Sequence, residues 1–149
     1  MLIRLEFSSA LPVSRAALWQ DITAMEGINH EMRPWLTMGA PAGVRSLQDV
    51  TLTPGKPLFR SKIKLFGWLP VGYSELTLLS LTPGEGFVEA SAMTGMRHWR
   101  HERRLEDSDT GCTLLDTLAF EPRILPTVTS VMIRAFFSHR HRRLRRRYH

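Results

Sequence analysis

A chain of 149 residues with 43% apolar and 23% charged side chains can bury the core of one domain without metal or disulfide staples. No apolar run nears the ~20 residues of a membrane-spanning helix, and the lone cysteine, Cys112, excludes an internal disulfide and a multi-thiolate metal site. The net charge of +6 is concentrated at the end: the segment 139–149 carries six arginines and no acid, which leaves the rest of the chain neutral. Such a basic helix end is able to touch an anionic membrane or a nucleic acid, and arginines equally favour the carbonyl-rich C-terminus of a helix and extend it into solvent.

Ile3, Leu5 and Phe7 alternate with Arg4 and Glu6, which predicts a strand over residues 2–9 with one face buried. The same stretch lacks the basic start and continuous apolar run of a secretory signal, so a cytoplasmic location is expected. Pro12 and Ser14, the latter as N-cap, introduce a helix from Arg15 to about Thr23 whose apolar side is Ala17, Leu18, Trp19 and Ile22. Gly27 interrupts it, and a second short helix over about Ile28 to Arg33 ends before Pro34, because the residue preceding proline is pushed away from helical geometry.

From Val44 the punctuation is that of successive hairpins: Thr53-Pro54-Gly55, Thr82-Pro83-Gly84-Glu85-Gly86, Met93-Thr94-Gly95 and Asp107-Ser108-Asp109-Thr110-Gly111. The runs between them, about 44–52, 58–65, 72–81, 86–93, 96–106 and 112–121, are rich in strand formers. With the first strand they make seven. The closing segment, Ile124 to His149, reads as one long amphipathic helix, because Leu125, Val128, Met132, Ala135, Phe136 and His139 recur at three- and four-residue spacing. This order predicts an α+β chain in which a curved antiparallel sheet of seven strands grips the last helix, with two short helices after the first strand.

That order, with Ile28-Asn29-His30-Glu31-Met32-Arg33-Pro34-Trp35, Trp99-Arg100-His101-Glu102, the passage from Gly111 to Pro122, and Phe136-Phe137-Ser138-His139-Arg140-His141-Arg142-Arg143-Leu144, resembles the START-like (SRPBCC) superfamily. The likeness is to its polyketide cyclase/dehydrase-like branch and spans nearly the whole chain. It implies a single domain over 1–149 with a helix-grip fold around an apolar cavity. It implies no shared catalytic set, since the superfamily includes lipid binders, hormone receptors, aromatases and cyclases.

If the sheet curls around the last helix, Val128, Met132, Ala135 and Phe136 supply one wall of that cavity, although any packed helix needs such a stripe. Phe66, Trp68 and Tyr73, set beside two glycines and Pro70 in a strand connection, mark either a cavity mouth or one capped end of the core. Strand alternation between Met96 and Glu106 places Trp99, His101, Arg103 and Leu105 on one face, and the apolar members argue that this face points inward. On the next strand Leu114, Asp116, Leu118 and Phe120 share a face. His101 and Arg103 would then orient a carboxylate, carbonyl or phenol, or in an enzyme move a proton, with Asp116 as partner.

Metal and cofactor chemistry finds no support in the sequence. His98 and His101 are three apart on a strand and project to opposite faces, while His139 and His141 are about 200° apart around a helix. There is no Gly-x-Ser-x-Gly elbow and no glycine-rich phosphate loop before a helix. The expected activity is binding of a small hydrophobic molecule, such as a lipid, fatty acid or aromatic polyketide-like compound. The alternatives are a cyclase-, aromatase- or dehydratase-type enzyme using His101 and Asp116, with Arg103 holding an anionic substrate, and an interaction protein docking through its basic tail.

Overall fold

The computed structural model describes all 149 residues, Met1–His149. Strand β1 (Ile3–Leu11) is followed by helices α1 (Arg15–Thr23) and α2 (Met25–Met32), then by strands β2 (Leu36–Met38), β3 (Pro57–Leu65), β4 (Leu69–Thr82), β5 (Gly86–Ala90), β6 (Ala92–Met93), β7 (Met96–Ser108) and β8 (Gly111–Pro122), and helix α3 (Pro126–Arg147) closes the chain. The sheet order is β1-β8-β7-β5-β4-β3-β2 and every pairing is antiparallel. Strands β5 and β6 are one run broken at Ser91, so the sheet has the seven strands expected; β6 departs to pair with β4 alone. Register shifts in β3, β4 and β7 sharpen the bend, and the concave face closes over α3.

Ser14 caps α1 by accepting from the Ala17 N–H, and Leu18, Trp19 and Ile22 are its buried side. The break between the first two helices is at Ala24 rather than Gly27. There the Met25 N–H leaves the helical ladder for the Arg45 carbonyl, and Gly27 lies inside α2, where a Cβ would sit 1.9 Å from the Asp21 carbonyl oxygen and only glycine fits without a shift. The expected strand over 44–52 is absent. Ser46 and Asp49 form a capping box that winds Leu47–Asp49 into a 3-10 turn, and Gln48 accepts from the Trp19 indole N–H at 3.0 Å. The second strand is instead the short β2, paired with the far end of β3.

The largest correction concerns the phase of α3. Its covered face is Ile133, Phe137, Arg140, His141 and Leu144, whereas Val128 and Met132 are exposed. Two cores result. One surrounds α1 and the end of α3 (Leu18, Trp19, Ile22, Leu105, Leu114, Leu144), and the other lies beneath the middle of α3 (Leu5, Trp99, Leu118, Phe120, Phe137). No helix is long and apolar enough to cross a membrane.

Candidate functional site

Strand alternation aims Glu89 of β5, Trp99, His101 and Arg103 of β7, and Asp116 of β8 at the concave face, where each is buried. The register sets Arg103 opposite Asp116 and Glu89 opposite His101. Asp116 accepts from Arg103 Nε at 2.8 Å and Nη2 at 2.9 Å, from His101 Nε2 at 2.6 Å and from His141 Nε2 at 2.6 Å. The other side of the Arg103 guanidinium donates to both carboxylate oxygens of Glu31, at 3.0 and 2.8 Å, and Arg140 Nε donates to Glu31 at 3.2 Å. His141 Nδ1 lies 2.7 Å from the Ser9 hydroxyl. With that hydroxyl donating to Nδ1, the ring presents Nε2–H to Asp116.

Burial alone would neutralise Asp116, Glu31, Glu89 and His101, yet their neighbours oppose it in every case. Burial would raise the Asp116 carboxyl; the charges and hydrogen bonds of Arg103 and His101 overcome this and hold it well below the usual carboxylate range. Glu31 is likewise held low, against burial, by Arg103 and Arg140, and Glu89 by His101 and by the Ser91 hydroxyl that donates to it at 2.8 Å. Burial would discharge His101; the Asp116 carboxylate and, 3.7 Å away, Glu89 raise its pKa instead. Three carboxylates therefore face two guanidiniums and the His101 ring, and a proton on His101 balances the third carboxylate.

Beside this cluster is a cavity of about 140 Å³ between the sheet, α2 and α3. Of its 19 lining residues 15 are hydrophobic, and the polar exceptions, Glu89, His101, Arg103 and Arg140, are all members of the charged cluster. Met25, Met32, Met38 and Met93 contribute to its wall. Thioether side chains repack readily, so this boundary can adapt to shape. The Trp99 indole N–H is buried without a hydrogen-bond partner.

Of the residues expected at the site, Trp99, His101, Arg103 and Phe136 line the cavity. Asp116 stands behind His101, and Phe120 packs behind Trp99 with ring centroids 5.8 Å apart. Phe66, Trp68 and Tyr73 lie outside the cavity on the solvent side of the β3–β4 hairpin, and Val128 and Met132 are on the exposed face of α3. Arg103 is not free to hold an anionic substrate, because four of its N–H groups are committed to Glu31 and Asp116 and the side chain has no exposure. Glu31, Glu89, Arg140 and His141 were not expected at the site. Glu89 was within reach of the same alternation that exposes His101, since Phe87, Glu89 and Ser91 share a face. Of the tail, Arg140, Arg143, Arg145 and Arg147 bond to Glu31, the His30 carbonyl, Ser9 and Asp21. No group of three or more His, Cys, Asp or Glu has metal-binding geometry.

A curved antiparallel sheet gripping a long C-terminal helix, with a cavity and a charged cluster between them, defines a helix-grip protein. Solved structures share this fold at low identity. Protein CV1439 from Chromobacterium violaceum matches with a TM-score of 0.69 at 11% identity over 98% of this chain and 97% of that one. Ara h 8.0201 matches at 0.66 and 13% over 97% and 96%, and DynU16, from the dynemicin biosynthetic locus, at 0.62 and 15% over 97% of this chain and 46% of that one. The chain belongs to the family described as Domain of unknown function (DUF8410), whose profile matches residues 9–148. No curated protein matches the sequence.

Proposed function

We propose that the protein binds a small hydrophobic molecule carrying one polar group, with its apolar part in the cavity and its polar end against Glu89, His101 and Trp99. The observation that carries this reading is the segregation of the lining: apolar walls everywhere except where the charged cluster reaches the surface. A preformed apolar space with a few convergent polar groups is the usual form of a small-molecule site. The volume is similar to cavities that admit one aromatic ring. An aromatic polyketide-like compound, or the end of a fatty acid or lipid chain, would fit by placing one ring or a short acyl segment inside and drawing on the methionine wall for more room. The Trp99 N–H and the His101 ring offer donors, and Glu89 an acceptor, which suits a phenolic or enolic hydroxyl.

The test is thermal unfolding and calorimetric titration with phenol, cresol, naphthol and decanoate, repeated on Ile133→Trp, which fills the cavity from α3. Binding to the parent that disappears in the variant supports the reading; a parent indifferent to the whole panel sinks it.

A second reading rests on the 2.6 Å bond between His101 and Asp116. In an enzyme of the cyclase, aromatase or dehydratase type, the His101 imidazolium would donate a proton from Nδ1 to a ligand oxygen while Asp116 holds the ring. His101→Gln should then abolish turnover while leaving ligand affinity within a few fold. Equal loss of both would assign His101 to binding alone.

A further inference from the structure

Apart from Met1, Leu2 and Leu79, the exposed large apolar side chains fall on three segments beside the cavity: Trp35, the span 66–73 and the span 124–132. Starting at Trp35, the ring of Phe66 lies 6.0 Å away and the Phe66 N–H bonds to the Trp35 carbonyl. The β3–β4 hairpin then leads to Tyr73, whose carbonyl accepts from the Thr94 N–H; one residue on, the Gly95 carbonyl accepts from the Arg123 N–H, at the start of the segment that becomes α3. The perimeter closes where His139 of α3 bonds to the Arg33 carbonyl and its ring meets Trp35 at 6.4 Å. Inside this ring the cavity residues Leu36, Met38, Ile63, Met93, Ile133 and Phe136 are half-buried, in contrast to the buried deep wall of Ile22, Leu76 and Phe87.

On this rim Phe66 and Trp68 are 53% and 70% exposed, and Val128, Val131 and Met132 face outward from the first turns of α3. Phe66 and Leu125 are also the only non-glycine residues with positive φ, at 55° and 47°. A bulky side chain in that conformation is strained, and at both positions the strain presents an apolar group to solvent. The charge is equally biased. The four segments 33–38, 62–74, 93–98 and 122–136 contain Arg33, Lys62, Lys64, Arg97, Arg123 and Arg134 and no acid. Their bounding acids, Glu75 and Glu121, are paired with Arg60 and the N-terminal amine.

We infer that this rim docks the mouth of the cavity onto an anionic lipid bilayer, with Phe66, Trp68 and Met132 entering the interfacial region and the flanking Lys and Arg side chains meeting the headgroups. Aromatic side chains favour that depth, and each basic residue at the surface adds to the attraction. Of the possible occupants, a second copy would set this positive rim against itself, so charge complementarity selects a negative surface. Docking opens the mouth directly onto the apolar phase, and it requires nothing of what the cavity holds.

The experiment is flotation of the full chain with vesicles of phosphatidylcholine alone and of phosphatidylcholine mixed with phosphatidylglycerol. The expected result is binding to the anionic vesicles, lowered at least about tenfold by Trp68→Glu with Met132→Glu and by Lys62→Gln with Lys64→Gln, and unchanged by Arg142→Gln with Arg146→Gln in the tail. All these positions are on the surface apart from half-buried Lys64, and circular dichroism checks that each variant folds. Absence of flotation with either vesicle, full binding by the Trp68/Met132 variant, or loss only in the tail variant would each overturn the inference. So would a concentration-dependent dimer abolished by Trp68→Glu in a protein that ignores vesicles, which would give the rim to a second copy.

Discussion

Arg103 and Glu31, 72 positions apart in sequence, form a two-pronged ion pair with both side chains 1% exposed. It ties α2 to the centre of the sheet, and the opposite edge of the same guanidinium ties β7 to Asp116 of β8. One planar group therefore holds a helix and two strands in position around the cavity.

Replacing Arg103 with Met should cost about 3–5 kcal/mol, because it strands the carboxylates of Glu31 and Asp116 without a charge partner in the interior. Chemical denaturation measures this as a lowered midpoint. A midpoint within error of the parent would show that the two acids find other partners and that Arg103 is dispensable to the fold.

Stability should fall on both sides of a plateau in pH. The raised pKa of His101 contributes stability that is fully present below its ordinary value of 6.5 and is lost as pH rises through the higher folded value. Asp116, Glu31 and Glu89, all lowered, contribute stability that is present above their ordinary values and is lost as pH falls through the folded ones. Urea midpoints across the pH range should show both limbs, and His101→Gln should flatten the alkaline one selectively. An unchanged alkaline limb in that variant would locate the titration elsewhere.

Phe66 occupies the left-handed region, φ 55°, ahead of Gly67 at φ 80°. Asparagine tolerates that conformation, so Phe66→Asn should raise stability by about 1 kcal/mol while removing an exposed aromatic ring. Thermal unfolding read beside vesicle flotation would expose the trade: a more stable protein that docks less well. A loss of stability would mean that the Phe66–Trp35 contact outweighs the backbone strain.

Gly27→Ala tests the tight approach of α1 and α2. The added methyl would meet the Asp21 carbonyl at 1.9 Å, and shifting the helices apart should cost about 1–3 kcal/mol. Because Glu31 is one turn further along α2, the same change should weaken ligand uptake, measured by titration. Unchanged stability would show that α2 slides freely over its neighbour.

The strands from β3 onward were legible because Gly and Pro punctuate the turns that join them, and alternation along β7 and β8 was enough to bring His101, Arg103 and Asp116 to one face. The phase of α3 was not legible. A pattern of apolar spacing discards Arg140 and His141 as surface residues, whereas their burial depends on Glu31, Asp116 and Ser9, which the chain delivers from three distant elements. The segment 44–52 misled for a local reason: Ser46 and Asp49 satisfy each other's backbone groups and wind a turn where β-formers suggested a strand.

The pairing of β1 with β8 has a consequence for how the chain comes to be folded. Leu5 pairs with Leu118 and Leu11 with Cys112, so the first strand made has no hydrogen-bonding partner until the last strand exists. Contacts of such long sequence separation form slowly. The apolar face of Leu5, Phe7 and Leu11 must wait for more than a hundred residues to be made, and the sheet closes only once β8 has emerged.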